Sequence, residues 1–378
     1  MKYVQRTNYV EPVAGGADCL VKRDFYVSIP TYTCRRKLVL RAPFSFATGF
    51  HSISLSSAIS YFFLCIRRHN IIYYFEMSTA IKEEDEVILC ASCGTTGGDD
   101  IKLKKCTACH LVRYCSVKCQ KEHRPKHKKE CKKRAAELKD EILFKQPESS
   151  SYGDCPICCL PMSIDLKKST LMSCCSKYIC SGCYHANKER EYEERLQFKC
   201  PFCRKALPKT DEEINEQRIK RIEANDPIEI CNMGSDKYHE GDYRAAFEYW
   251  TKAAALGNAE AHYQLSLYYT FQGVEKDEKK KLHHTEQAAI GGHPTARYNL
   301  GCMENNNGRV DRAVKHFIIA SKLGLDASLK AVKSLYNDGY ASKDDFTIAL
   351  RGYQSAIEES KSPQRDEAAE YEMQYPPT

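Results

Sequence analysis

The stretch CASCGTTGGDDIKLKKCTACHLVRYCSVKCQKEHRPKHKKEC, residues 90–131, decides how the rest of the chain is read. It holds the pairs Cys90-x-x-Cys93 and Cys106-x-x-Cys109, then Cys115-x-x-x-Cys119 and His127-x-x-x-Cys131. A Cys-x-x-Cys turn points two sulfurs the same way. A three-residue gap is one helical turn, so both groups share a helix face. Seven thiolates and one imidazole fill two tetrahedral sites. Of the 21 cysteines in 378 residues, seven lie here and nine between Cys155 and Cys203, the others being Cys19, Cys34, Cys65, Cys231 and Cys302. Disulfide scaffolds belong to small secreted chains. Clustered Cys-x-x-Cys pairs beside lysine-rich helices, in a chain without a convincing secretion signal, fit Zn2+ in a reducing compartment instead.

A module of about forty residues buries too little apolar surface to fold alone. Metal binding therefore supplies much of its folding free energy, on the order of 10 kcal/mol per structural zinc. Four protein ligands per metal leave no open position for water or substrate, which argues against zinc catalysis.

This constellation, with Tyr114 before Cys115 and Gln120 after Cys119, resembles the MYND finger over its whole length. The resemblance implies interleaved sites: Cys90, Cys93, Cys115 and Cys119 on one zinc, and Cys106, Cys109, His127 and Cys131 on the other. His123 rivals His127, but its spacing to Cys131 is one turn too long for the pattern, and His110 reads as a surface residue. The resemblance also implies binding of short peptides, often proline-containing, beside the helix.

A second module spans residues 155–203, with Cys155-Pro-Ile-Cys158, Cys180-Ser-Gly-Cys183 and Cys200-Pro-Phe-Cys203 around the adjacent pair Cys174-Cys175. It resembles a RING finger, which implies that Cys155, Cys158, Cys180 and Cys183 hold one zinc. Cys200 and Cys203 hold another with two ligands from the middle. The middle departs from the pattern: Lys177 stands where a histidine ligand is usual, and an ammonium cannot ligate. Cys174 and Cys175 together are the expected replacement, at the cost of backbone distortion, with His185 as the alternative and Cys159 as a spare thiol. Ile157, Pro201 and Arg204 match positions that ubiquitin-ligase RINGs use, whereas the altered middle and the insert Tyr184–Lys199 do not.

From about residue 211 to 358 the pattern turns helical. Copies ending Ala253-Ala254-Ala255-Leu256-Gly257-Asn258, Ala288-Ala289-Ile290-Gly291-Gly292-His293 and Ala320-Ser321-Lys322-Leu323-Gly324-Leu325 put glycines 35 and 32 residues apart, and 326–358 reads as a degenerate capping copy. Such periods mean stacked helix pairs. With Gly273-Val274 and the helix start Ala296–Gly301, these copies resemble the Sel-one-like branch of tetratricopeptide repeats, which implies a concave protein-binding groove. Trp250 reads as core, and His283-His284 as exposed and without partners.

The expected fold is therefore small zinc-stabilised domains followed by an all-α helical-repeat solenoid. Residues 77–89 and 132–154 read as a linker and as a helix with linker, and 359–378 as a disordered tail. Three readings stand for residues 1–76: a mis-set start with Met77 as the true one, a membrane anchor at 44–66 weakened by its serines, or a disordered or targeting extension. The three modules in this order resemble the multi-domain zinc-finger and Sel-one-like proteins of diatoms and related algae.

Net charge is +7, and 13 Lys/Arg face only two Glu between Lys102 and Arg134. That basic face could meet nucleic acid, but small zinc modules also solubilise themselves with lysine, and Tyr114 is its only aromatic platform. The leading function is an intracellular adaptor, cytoplasmic or nuclear, that binds proteins or short peptides. A RING-type ubiquitin ligase engaging a conjugating enzyme is the alternative, and nucleic-acid binding a weaker one.

Overall fold

A computed structural model of the chain describes residues 88–98, 101–270 and 277–375. Residues 1–76 with their three readings, most of the 77–89 linker and Gly273-Val274 lie outside the described residues. The chain divides into two compact units at residue 136. Among the described residues, no helix is long and apolar enough to cross a membrane.

In the first unit, strands β1 (Lys104–Lys105) and β2 (Arg113–Tyr114) pair antiparallel. Cys90 bridges to Arg113 alongside them, and the Ala91 N–H donates to the Arg113 carbonyl at 2.9 Å. Helix α1 (Val117–Leu143) begins beyond Ser116, whose hydroxyl accepts from the Cys119 N–H at 3.2 Å. The core is chiefly sulfur: Cys90, Cys106, Cys109, Cys119 and Cys131 around Tyr114, with Leu103 and Val112 at its edge. Among the described residues, so small an apolar share cannot hold the finger without metal.

The second unit opens with the last residues of α1. Strands β3 (Ser169–Met172) and β4 (Lys177–Cys180) form a hairpin with Met172 opposite Lys177, and α2 (Ser181–Glu193) follows. Among the described residues, nine helices then alternate: α3 (Asp211–Glu223), α4 (Pro227–His239), α5 (Tyr243–Ala255), α6 (Ala259–Tyr268), α7 (Glu278–Ile290), α8 (Pro294–Asn306), α9 (Val310–Lys322), α10 (Asp326–Asn337) and α11 (Lys343–Glu359). Their starts are written locally. Thr210, Asp226, Asp242, Asn258, Asp277, His293 and Ser342 each accept a hydrogen bond from a first-turn amide. Gly257, Gly292 and Gly324 take the left-handed backbone that turns one helix into the next.

Small residues let the helices close up. A Cβ on Gly234 would sit 2.6 Å from Trp250, and one on Gly301 2.5 Å from Phe317. Trp250 is buried core, as its sequence context suggested.

Two arrangements differ from expectation. Residues 139–152, read as a helix end and flexible linker, lie against α6–α9. Leu143 is buried with Tyr263, Ala288, Ala289, Ala296 and Leu300, and the Phe144 ring lies tilted against His316 with centroids 4.6 Å apart. The Ser151 N–H donates to the Gly292 carbonyl at 2.8 Å, and Tyr152 packs on His293. The repeats bury this segment because it offers apolar side chains at an otherwise open helix surface. Second, the tail read as disordered contains helix α12 (Pro363–Gln374), packed on α2. Ser362 caps it and Pro363 occupies its first position, where a missing N–H costs nothing.

Candidate metal centres

The four Cys-x-x-Cys turns that are not helical share one backbone device. The amide after the second cysteine donates back to the first cysteine's carbonyl: Gly94 to Cys90 at 2.9 Å, His110 to Cys106 at 3.0 Å, Cys159 to Cys155 at 2.8 Å and Arg204 to Cys200 at 2.9 Å. Each of these four donors has a left-handed backbone, with φ of 74°, 57°, 57° and 62°. The tight turn aims both sulfurs at one point, and the residue behind it bears the strain. His110, Cys159 and Arg204 thus acquire a structural role that spacing alone did not reveal.

Among the described residues, the turns converge on four groups. Cys90, Cys93, Cys115 and Cys119 form one, and Cys106, Cys109, His127 and Cys131 a second. Cys155, Cys158, Cys180 and Cys183 form the third, and Cys174, Cys175, Cys200 and Cys203 the fourth. Within each group the ligand atoms lie within 4.8 Å of one another. A zinc with sulfurs at about 2.3 Å gives sulfur–sulfur edges of about 3.8 Å. The observed edges are 3.6 Å for Cys93–Cys115, 3.8 Å for Cys106–Cys131, 3.9 Å for Cys158–Cys180 and 3.8 Å for Cys175–Cys200. Cys174–Cys203 is tighter, at 3.2 Å. These spacings fit tetrahedral zinc and are far from the bond length of a disulfide.

The residues weighed as alternative ligands differ in position. His127 turns Nε2 toward the Cys109 sulfur at 3.2 Å. His123 instead takes the Tyr114 hydroxyl at 3.1 Å and stacks on His127. His185 sits away from the fourth group, against Tyr371 and Glu189, and Cys159 is exposed. The adjacent Cys174 and Cys175 both join the fourth group. The distortion this demands appears at Ser176, whose φ is 51°. Lys177 turns its ammonium over the Phe202 ring, 5.9 Å from its centre, and burial lowers its pKa.

At two of the MYND-finger cysteines the surroundings favour thiolate. Burial pushes the Cys90 thiol up, yet the amides of Cys93, Cys115 and Ser92 bring it down to about 6. Burial opposes ionisation of Cys106 in the same way, and the amides of Cys109 and Ala108 bring it to about 6. A group that ionises so readily is prepared to take a divalent cation.

Outside these groups, the pair read as exposed and without partners is half corrected. His284 Nδ1 lies 2.9 Å from His262 Nδ1 and its ring stacks on Tyr269, while His283 is exposed. The helices bring His262 and His284 together from 22 residues apart, a distance at which spacing carries no signal.

A family model described as the MYND finger matches residues 90–131. SET domain and MYND-type zinc finger protein 6 of Schizosaccharomyces pombe is 39% identical over 59 residues, 16% of this chain and 12% of that protein. Histone-lysine N-methyltransferase SMYD3 of Homo sapiens is 55% identical over 31 residues, 8% of this chain and 7% of that protein. The chain spans no more than 12% of the length of these relatives. Among solved structures, a Sel1 repeat protein from Oxalobacter formigenes aligns with TM-score 0.34 and 20% identity over 47% of this chain and 72% of that one. A protective antigen of uropathogenic Escherichia coli displaying an SLR fold aligns with TM-score 0.30 and 18% identity over 51% and 44%. The chain's own helix order and glycine turns carry the repeat assignment. The eight converging ligands and the matched model together make residues 90–131 a MYND zinc finger, a zinc-binding protein-interaction module, placed ahead of a second cysteine-rich finger and a helical solenoid.

Proposed function

We propose that the chain is a zinc-organised adaptor: the MYND finger holds a short peptide segment of a partner, and the second finger is a structural part of the repeat unit. The observation that carries this reading is the closure of all four metal groups, each with four protein donors. A site with no open coordination position organises a surface and does not activate water. The integration of the second finger supports the same reading. Ser173 donates to Gln217 on α3 at 2.8 Å, Arg221 on α3 donates to Ser176 at 3.1 Å, and α12 lies on α2. The sixteen residues of the four groups are the proposed ligands.

A RING-type ubiquitin ligase is the second reading. Ile157 and Phe202 are 42% and 44% exposed, and Arg204 is exposed as well, so the surface that a conjugating enzyme would need is open. Zinc-loaded full-length protein incubated with a panel of conjugating enzymes and ubiquitin separates the two. The adaptor reading expects no discharge, together with capture of proline-containing peptides that is lost in Cys115→Ser. Ubiquitin chains that disappear in both Ile157→Ala and Arg204→Ala would replace it with the ligase. Nucleic-acid binding through Lys102–Arg134 would show as steep salt dependence on duplex or single-stranded probes.

A further inference from the structure

Helix α12 reaches the third metal group from the far end of the chain. The Arg365 guanidinium lies 3.5 Å from the Cys158 sulfur through Nη2, which also donates to the Leu160 carbonyl at 3.2 Å. Its Nη1 donates to the carbonyls of Pro161 and Ser360, each at 2.7 Å. One side chain therefore ties the loop after Cys158 to the start of α12.

The docking is close. A Cβ on Gly182 would sit 2.7 Å from the Arg365 backbone nitrogen and 2.8 Å from the Gln364 carbonyl oxygen, so only glycine permits the approach. Ala368 is buried, and Tyr371 packs on His185 of α2. On α2 the small residue at this contact is Gly182, the neighbour of the ligand Cys183.

Four thiolates around one divalent zinc leave two net negative charges. A permanently charged guanidinium beside them offsets part of that charge and donates to a sulfur. Outer-shell donors of this kind fix ligand orientation and alter metal affinity about 10- to 100-fold. In the MYND finger, Arg124 lies 3.8 Å from the Cys131 sulfur, but it comes from the same helix. Arg365 comes from 207 residues away, so metal and tail are linked.

We propose that Arg365 is an outer-shell partner of the Cys155/Cys158/Cys180/Cys183 group and that α12 is a clasp whose closure governs how firmly this group keeps its zinc. The proposal rests on the reading of these four cysteines as ligands. By reciprocity, the zinc favours the closed clasp as much as the clasp favours the zinc.

The test is zinc release from the full-length protein to a chromophoric chelator, with metal content measured first. Wild-type protein is expected to hold four zinc ions; fewer would overturn the ligand reading itself. In Arg365→Ala, one ion of the four is expected to leave about 10- to 100-fold faster, with the other three unchanged. Arg365→Lys keeps the cation but loses the fork, and is expected to fall between; it decides the matter if Arg365→Ala does not fold. Gly182→Val, which forces α12 off, should reproduce the fast phase, and Cys158→Ser should abolish it. Hydrogen exchange across residues 363–374 should rise when the metal is stripped. Four ions leaving Arg365→Ala or Arg365→Lys at the wild-type rate, or exchange at 363–374 indifferent to metal, would overturn the proposal.

Discussion

Arg297 donates to the carbonyl oxygen of Leu143, 154 residues earlier in the chain, and through its other terminal nitrogen to the carbonyl of Ala289 at 2.7 Å. The side chain is fully buried. Burial lowers its pKa only to about 10, so it stays charged at neutral pH. Its acceptors are the carbonyl ends of α1 and α7, where helix dipoles concentrate negative partial charge. Two helix ends thus serve as the counter-charge for a buried cation.

Replacing Arg297 with Met should therefore cost about 2–4 kcal/mol, since two buried carbonyls lose their donor. The single tryptophan, Trp250, is buried in the repeat core and reports urea unfolding directly. The variant should also be cut faster by trypsin at Lys145, as residues 139–152 lift away. An unchanged urea midpoint would remove Arg297 from the account of what holds this segment.

His316 is fully buried with neither ring nitrogen partnered. Burial, and then the charges of Arg297 and Arg312, lower its pKa from 6.5 to about 3. The unfolded chain therefore binds a proton that the native chain refuses. Stability from this residue is fully present above pH 6.5 and is lost as pH falls toward 3. His316→Phe removes the penalty and should be more stable than wild type, relative to their difference at pH 7, by about 2 kcal/mol at pH 5. Parallel urea titrations of both zinc-loaded proteins at pH 7 and pH 5 measure the difference. Equal pH slopes would contradict it.

Metal content tests the ligand groups one residue at a time. Cys174→Ser and Cys175→Ser should each reduce four zinc ions to three by elemental analysis. His185→Gln and His123→Gln should retain four. If His185→Gln loses an ion while Cys174→Ser does not, the fourth group is misassigned.

Much of this was legible in the sequence, but unevenly. The ligand spacing is a local code, because a Cys-x-x-Cys turn or a one-turn helical gap fixes geometry within a few residues. The ligand spacing of the MYND finger could therefore be read locally, and His127 lies in one of the groups that converge in space. The glycine turns at 257, 292 and 324 were readable for the same reason: each is a short signal with a backbone cause. What stayed hidden was docking between distant segments. Nothing in residues 139–152 announces that Leu143 and Phe144 will lie on α6–α9, and the polar tail gives no sign that Arg365 will meet Cys158. Those contacts depend on complementary surfaces that exist only once the helices have stacked. Composition even misled at the tail, where proline suggested disorder and Pro363 instead starts a helix.

The left-handed residue behind each zinc turn yields a sharper expectation. Cys159 is exposed and has a φ of 57°, a conformation that costs an L residue roughly 1–2 kcal/mol and glycine almost nothing. Cys159→Gly should raise the thermal midpoint of the zinc-loaded protein, offset in part by the greater freedom of an unfolded glycine, for a net gain of about 0.5–1 kcal/mol. It should still bind four zinc ions. A lower midpoint would show that Cys159 makes a contribution beyond its backbone.

The reach of Arg297 and Arg365 back along the chain also sets a schedule for synthesis. Leu143 leaves the ribosome 154 residues before Arg297, and Cys158 leaves 207 residues before Arg365. At about 5–20 residues per second, those intervals are roughly 8–30 s and 10–40 s. Until the helices that bury them have emerged, the nascent chain displays Leu143 and Phe144 uncovered, and until Arg365 follows it carries the third metal group without its guanidinium. Zinc supply and chaperone cover during those seconds therefore bear on how much of the protein reaches its finished form.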